Sequence, residues 1–151
     1  MNLRVTLTRE EARWRARYLE AGFQQFIHLK FEKECPEFIG KTAIHINCLE
    51  SVKGVWVEYV GKSVDQLLID GDSQKINWDG KRIELPSLTV GSHIIEVQFR
   101  SEVTNRGVGI HHYNDPENQT DYYYSNLCPY DAGRIFPCFD QPDLKARFEL
   151  S

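Results

Sequence analysis

Four stretches of this chain alternate apolar and polar residues with a period of two, and that rhythm leaves few architectures open. Ile27, Leu29 and Phe31 alternate with His28, Lys30 and Glu32, and Ile44, Ile46 and Cys48 with His45 and Asn47. Val55, Val57 and Tyr59 alternate with Trp56 and Glu58, and Ile95, Val97 and Phe99 with Glu96, Gln98 and Arg100. Successive side chains of a strand point to opposite faces, so each stretch reads as a strand with one face in a core and one toward solvent, the habit of antiparallel sheets. Turn chemistry falls between them. Gly71 sits in an Asp-Gly-Asp-Ser cluster, and Asp79-Gly80 between Ile76–Trp78 and Arg82–Leu85 signals a tight hairpin. Gly91 ends one connection before a strand over Ser92–Arg100. Roughly seven or eight short strands at this spacing, over about residues 23–100, predict an all-β fold: an antiparallel, saddle-shaped β-sandwich.

One helix precedes the strands, over about residues 8–19. Thr8 with Glu11 three residues on forms a capping box. Ala12, Ala16 and Leu19 share a face, and Trp14 and Tyr18 form an i,i+4 pair. Glu11 and Arg15 are expected to pair along the surface, and Arg9, Arg13 and Arg17 to form a solvated basic stripe.

A length of 151 residues fits one domain, alone or within a longer protein. Such a chain can bury roughly 68–70% of its unfolded surface, enough for a core. The net charge of −4 argues against nonspecific nucleic-acid binding, and apolar runs of a few residues argue against a membrane span. Met1-Asn2-Leu3-Arg4 lacks the apolar centre of a signal peptide, so the cytoplasm is expected. Cys35, Cys48, Cys128 and Cys138 lie far apart without a Cys-x-x-Cys and read as free thiols; Asn118-Gln119-Thr120 then reads as a chance glycosylation triplet.

Tests for reaction chemistry mostly return negatives. A zinc peptidase helix would carry His-Glu-x-x-His, which places two imidazoles on one face, and the chain has none. His111 and His112 are adjacent, so they point apart on an extended backbone and read as a surface pair with no metal. No Gly-x-Ser-x-Gly or phosphate loop is present. A thiol enzyme using Cys128 or Cys138, with His111 as base, stays open beside the more ordinary reading of structural thiols. The run Tyr122–Tyr124 reads as a short strand at a core or interface.

Beyond Asn105 the period disappears, and about residues 105–145 read as an ordered loop segment. Asp131, Arg134, Asp140, Asp143 and Lys145 stand among Phe136, Pro137, Phe139 and Pro142. Charges in apolar surroundings require partners, so a fixed polar network is expected there, shaping a loop that supports a binding surface. A strand-like run over Ala146–Leu150 follows, and a sequence that stops on a fresh strand is expected to be a fragment.

Ser125 through Phe148 resembles the end of the N-terminal domain in the aminopeptidase N family of zinc metallopeptidases. The shared residues are Asp131-Ala132, Arg134, Phe136-Pro137-Cys138-Phe139-Asp140, Pro142-Asp143-Leu144-Lys145-Ala146 and Phe148. Leu7–Ala12 with Arg15-Ala16 resembles the opening of bacterial members, and Thr104-Asn105, Gly107, Gly109, His111 and Asp115-Pro116 resemble the loop before the tyrosine run. The resemblance implies a β saddle over residues 1–151 that packs against a catalytic domain. That domain, holding zinc and the Gly-Ala-Met-Glu-Asn motif, is missing from this sequence. The parent would remove N-terminal residues from peptides; this chain would carry no catalytic residue, no metal and no cofactor of its own. In the family a Gln and a nearby acidic residue line the first specificity pocket. In register these are Asn126, which keeps an amide at shorter reach, and Cys128, which removes the carboxylate. Gly133 stands where the family has the first of two arginines. These departures imply altered specificity or an inactive parent. The implied partners are the catalytic domain of the same chain and the N-terminus of a peptide, with no nucleic acid and no membrane. Left uncovered, segment 122–145 would show an apolar patch and self-associate. The alternative reading is a stand-alone β-sandwich interaction module with no peptidase activity.

Overall fold

The computed structural model describes residues 7–33 and 35–151, so the reading of Met1–Arg4 lies outside it. Among the described residues the fold is all-β with one α-helix. In chain order the elements are helix α1 (Arg9–Tyr18), β1 (Phe23–Phe31), β2 (Glu37–Cys48), β3 (Trp56–Glu58), β4 (Ser63–Ile69) and β5 (Asp72–Ser73). They continue with β6 (Asn77–Trp78), β7 (Arg82–Glu84), β8 (Gly91–Glu102), β9 (Gly109–Asn114), β10 (Asp121–Asn126), a 3-10 turn (Ala132–Arg134) and β11 (Ala146–Leu150). The capping box forms as expected: the Glu11 amide donates to Thr8 Oγ1 at 3.1 Å, and the Thr8 amide to Glu11 Oε2 at 2.9 Å.

A six-stranded sheet in the order β11-β1-β2-β8-β4-β5 forms the larger layer, and β3-β7-β6 a smaller one. Ile44 pairs with Ile95 and Thr42 with Val97, which puts the apolar set of each central strand on one face. That face carries Phe23, Ile27, Phe38, Ile44, Val97, Phe99 and Leu67, and Val57 and Ile83 of the smaller sheet join the same core. Gly40 is what lets β2 and β8 sit here: a Cβ at that position would stand 2.2 Å from the Phe99 ring. The hairpin around Asp79-Gly80 forms between β6 and β7, with Trp78 opposite Ile83.

Three features differ from the sequence reading. Over Val55–Tyr59 both faces are buried, Trp56 and Glu58 included, because α1 covers the second face and stacks Trp14 on Trp56 at 6.0 Å and 4°. The 105–145 segment contains a β9–β10 hairpin rather than loop alone. The large sheet is not wholly antiparallel, since β11 joins it beside β1 in parallel, Phe23 opposite Ala146 through Ile27 opposite Leu150.

Candidate functional site

The C-terminal segment is locked in place by one buried cation. Arg15 is fully buried. Its Nη1 donates to both Glu58 oxygens, at 2.8 and 2.9 Å, and to the Trp56 carbonyl at 3.1 Å. Its Nε donates to Gln141 Oε1 at 2.9 Å, and Gln141 Nε2 returns a bond to the Ala12 carbonyl at 2.9 Å. The guanidinium also lies over the Trp56 and Phe139 rings, at 5.0 and 5.4 Å. Glu58 takes two further donors, Trp56 Nε1 at 2.8 Å and the Asp140 amide at 3.0 Å. A buried ion pair is tolerable when its remaining lone pairs are used in this way. Arg15 therefore does not pair with Glu11 along the surface, as the sequence suggested. Glu11 instead meets Arg82 in a fork, at 2.6 and 3.0 Å, and that contact holds its carboxyl at about 2.

Backbone bonds complete the lock. Glu58 exchanges both main-chain bonds with Cys138, and the Val60 amide donates to the Gly133 carbonyl at 2.7 Å. Gly133 lies so close to Glu58 that a Cβ would come within 3.3 Å of its backbone, so an arginine here would require the strand to yield. Asp131 accepts from Arg134 Nε at 2.6 Å, and Asp140 accepts from the Ala132 amide at 3.1 Å. Burial, with Glu58 and Asp131 nearby, raises Asp140 above the usual carboxylate range. The expected polar network thus exists, but Asp143 and Lys145 are exposed and lie outside it. A cavity of about 340 Å³ opens beside it, between Ala12, Glu58, Tyr130 and Asp140.

Asn126 and Cys128 lie just ahead of this anchored loop, at the end of β10, and both are exposed. Asn126 Nδ2 donates to the Gly107 carbonyl at 2.7 Å, which ties the hairpin to the preceding loop. One N–H of that amide remains for another partner. The same hairpin presents Tyr113, Tyr122 and Tyr124, each about half exposed. His111 is buried and stacks on Tyr124 at 5.0 Å and 9°, while His112 Nε2 lies 2.7 Å from Asp121 Oδ1. The two imidazoles therefore point to opposite faces, and His111 is joined to Tyr124 rather than to a cysteine. Cys138 is buried, and desolvation pushes its thiol well above the ordinary value, the reverse of what a nucleophile needs. Among the described residues no three His, Cys, Asp or Glu side chains converge so as to hold a metal.

Sequence reasoning found the loop but missed Arg15, Glu58 and Gln141, which fix it. A signal was present: Arg15 is three residues after Ala12 and four before Leu19, inside the apolar stripe of α1.

The family model of the Peptidase M1 N-terminal domain matches residues 23–151. Aminopeptidase N of Streptomyces lividans is 32% identical over 150 residues, covering 97% of this chain and 18% of that protein. Leucyl aminopeptidase of Saccharolobus solfataricus is 30% identical over 127 residues, covering 83% of this chain and 15% of that protein. The chain thus spans less than a fifth of these relatives. Among solved structures, a mutant M1 zinc metallopeptidase from Deinococcus radiodurans superposes with a TM-score of 0.70 at 17% identity, over 89% of this chain and 32% of that one. Leukotriene A4 hydrolase from Saccharomyces cerevisiae gives 0.70 at 20% identity, over 87% and 23%. These last two establish a shared fold.

Proposed function

We propose, for a chain that belongs to the Peptidase M1 N-terminal domain family, that it forms the non-catalytic wall of an aminopeptidase cleft. Residues 1–151 act as one β domain that supports a zinc-bearing catalytic domain in the same parent protein. Asn126 contacts the first side chain of a peptide held at its N-terminus, with Cys128 beside it. One observation supports this above others. The loop after Asn126 is pinned by a buried ion pair reaching from α1 through β3, while Asn126 and Cys128 stay exposed at its edge. A wall that contacts substrate needs such a rigid support under a few exposed groups. The cytoplasm suits four unpaired thiols. Related proteins bear the names aminopeptidase N and leucyl aminopeptidase, and one neighbour was solved with a Tyr-Ser-Ala substrate.

The test is a chimera in which this chain replaces the matching region of the Streptomyces lividans enzyme, assayed on aminoacyl substrates of differing side chain. Asn126→Ala should change the preference between polar and apolar side chains by about 2–10-fold through KM, the worth of one hydrogen bond. Unchanged preference ratios would refute the role of Asn126.

A further inference from the structure

We infer that His93 is a proton-dependent latch: doubly protonated, its ring ties the Asp70-Gly71 turn to the segment joining β7 to β8, and neutral, it lets that segment go. The side chain is 11% exposed and sits between two acceptors. Nδ1 lies 2.7 Å from Asp70 Oδ2, and Nε2 lies 2.9 Å from the Thr89 carbonyl oxygen. An ionised carboxylate and a carbonyl only accept, so both bonds exist together only when both ring nitrogens carry hydrogen. Asp70 is ionised: its partial burial is outweighed by the bonds from His93 and the Ile94 amide, which hold its carboxyl below the ordinary value. A neutral imidazole donates once. With that hydrogen kept on Nδ1 for Asp70, the Nε2 lone pair faces the Thr89 carbonyl and repels it. Thr89 also offers the remedy, because its Oγ1 stands 3.4 Å from Nε2 and can donate to the neutral ring. One residue thus carries an acceptor for the charged ring and a donor for the neutral one, and changing between them requires Thr89 to shift.

The two arms of the latch differ. Asp70 adopts the left-handed region, with φ at 54°, and in that pose its carboxylate serves two partners: Oδ1 accepts from the Ile94 amide at 2.8 Å while Oδ2 meets His93. The Asp70 amide also donates to the Ile94 carbonyl at 2.9 Å, so this arm stays on β8 whatever the ring's charge. The Thr89 arm depends on the second proton. Thr89 follows Leu88, which exchanges both main-chain bonds with Val52 at 2.8 Å, and precedes Val90, whose amide reaches Ser51 Oγ at 3.3 Å. Movement at Thr89 is therefore passed to the Val52–Leu88 pair. Other titratable groups near the ring are Cys48 on β2, whose thiol is raised by burial and by Asp70, and Glu20, His45 and Arg147, which line the recess beside it. Asp70 is the charge that acts on His93: burial disfavours the charged ring, but the Asp70 and Thr89 bonds outweigh it and raise His93 above its ordinary 6.5. The stability so gained is complete below pH 6.5 and is lost as pH rises through the folded midpoint, so the latch holds in acid and releases toward alkaline pH. It is independent of the substrate-wall role of Asn126.

NMR titration of the His93 ring, paired with amide hydrogen exchange over the same pH series, tests this on the 151-residue chain. Each exchange rate is divided by its unstructured value at the same pH. The His93 midpoint should lie above 6.5. Protection of the Val52 and Leu88 amides should fall roughly tenfold across that midpoint, the worth of one hydrogen bond, while the Asp70 and Ile94 amides stay protected. Asp70→Asn keeps the left-handed turn and the acceptor for Ile94, but it turns an N–H toward Nδ1 and should move the midpoint below 6.5. Thr89→Val removes the donor that serves the neutral ring and should raise the midpoint. His93→Gln has no such proton to lose and should make Val52 and Leu88 protection independent of pH. The native chain alone supplies two of these readings, so a variant that misfolds does not leave the matter undecided. A native midpoint at or below 6.5, Val52 and Leu88 protection unchanged across it, or a midpoint that Asp70→Asn leaves in place would overturn the proposal.

Discussion

Removing the Arg15 side chain should do more damage than any other single surface-to-core change on α1. Arg15→Met keeps the aliphatic stem and its packing against Trp56 and Phe139, and deletes the charge. Glu58 then keeps two donors, Trp56 Nε1 and the Asp140 amide, but loses the bonds at 2.8 and 2.9 Å that neutralise it. Gln141 loses the 2.9 Å donor to its Oε1. Breaking a buried pair by removing one partner costs about 3–5 kcal/mol, because the survivor remains charged and desolvated. Against a typical total of about 5–15 kcal/mol that is a large share. For a domain of this size it lowers Tm by roughly 6–20 °C. The complementary Glu58→Gln strands the guanidinium and should cost a similar amount. The double variant R15M/E58L removes both charges and should recover most of the loss, since apolar replacement of a buried pair is often neutral. Urea unfolding followed by Trp fluorescence measures all three, with Trp56 as an internal reporter. A loss below about 1 kcal/mol for R15M, or no recovery in the double variant, would refute the assignment of this pair as the lock on the loop.

Acid stability should carry the signature of Glu11. Its folded value of about 2, set chiefly by Arg82, lies below the ordinary 4.5, so its contribution is present above pH 4.5 and is lost as pH falls toward 2. Glu11→Gln should therefore be less stable than the native chain at neutral pH and converge with it near pH 2; a constant difference across that window would contradict the ion pair. Thiol labelling at neutral pH should modify exposed Cys128 at once and spare Cys138 until the chain unfolds, because Cys138 is buried and its thiol is raised well above the ordinary value. Native-state labelling of Cys138 at the rate of Cys128 would revive the thiol-enzyme reading.

Much of this fold is written in local patterns. The Thr8–Glu11 capping box, the Trp14–Tyr18 contact at 5.2 Å and the Asp79-Gly80 hairpin are short-range features, and each forms as its residues dictate. What failed to show depended on partners distant in sequence. Trp56 and Glu58 alternate with core residues and look solvent-facing until α1 is laid over them. Arg15 looks like half of a surface pair with Glu11 until Glu58, 43 residues away, is placed beside it. The parallel seat of β11 is likewise nonlocal, since period-two patterning says nothing about strand direction. The loop near Asn126 and Cys128 was visible as a cluster of charges among apolar residues, but which charges it used was not: Asp131, Arg134 and Asp140 enter the network, and Asp143 and Lys145 remain in solvent.

The most direct test of the account is to assay the purified 151-residue chain on fluorogenic aminoacyl substrates, with and without added zinc and with contaminating peptidases excluded. Hydrolysis at the buffer rate under both conditions is the expected result if, as proposed, the chain supplies a wall and a support. Enzyme-like turnover by this chain alone would contradict it.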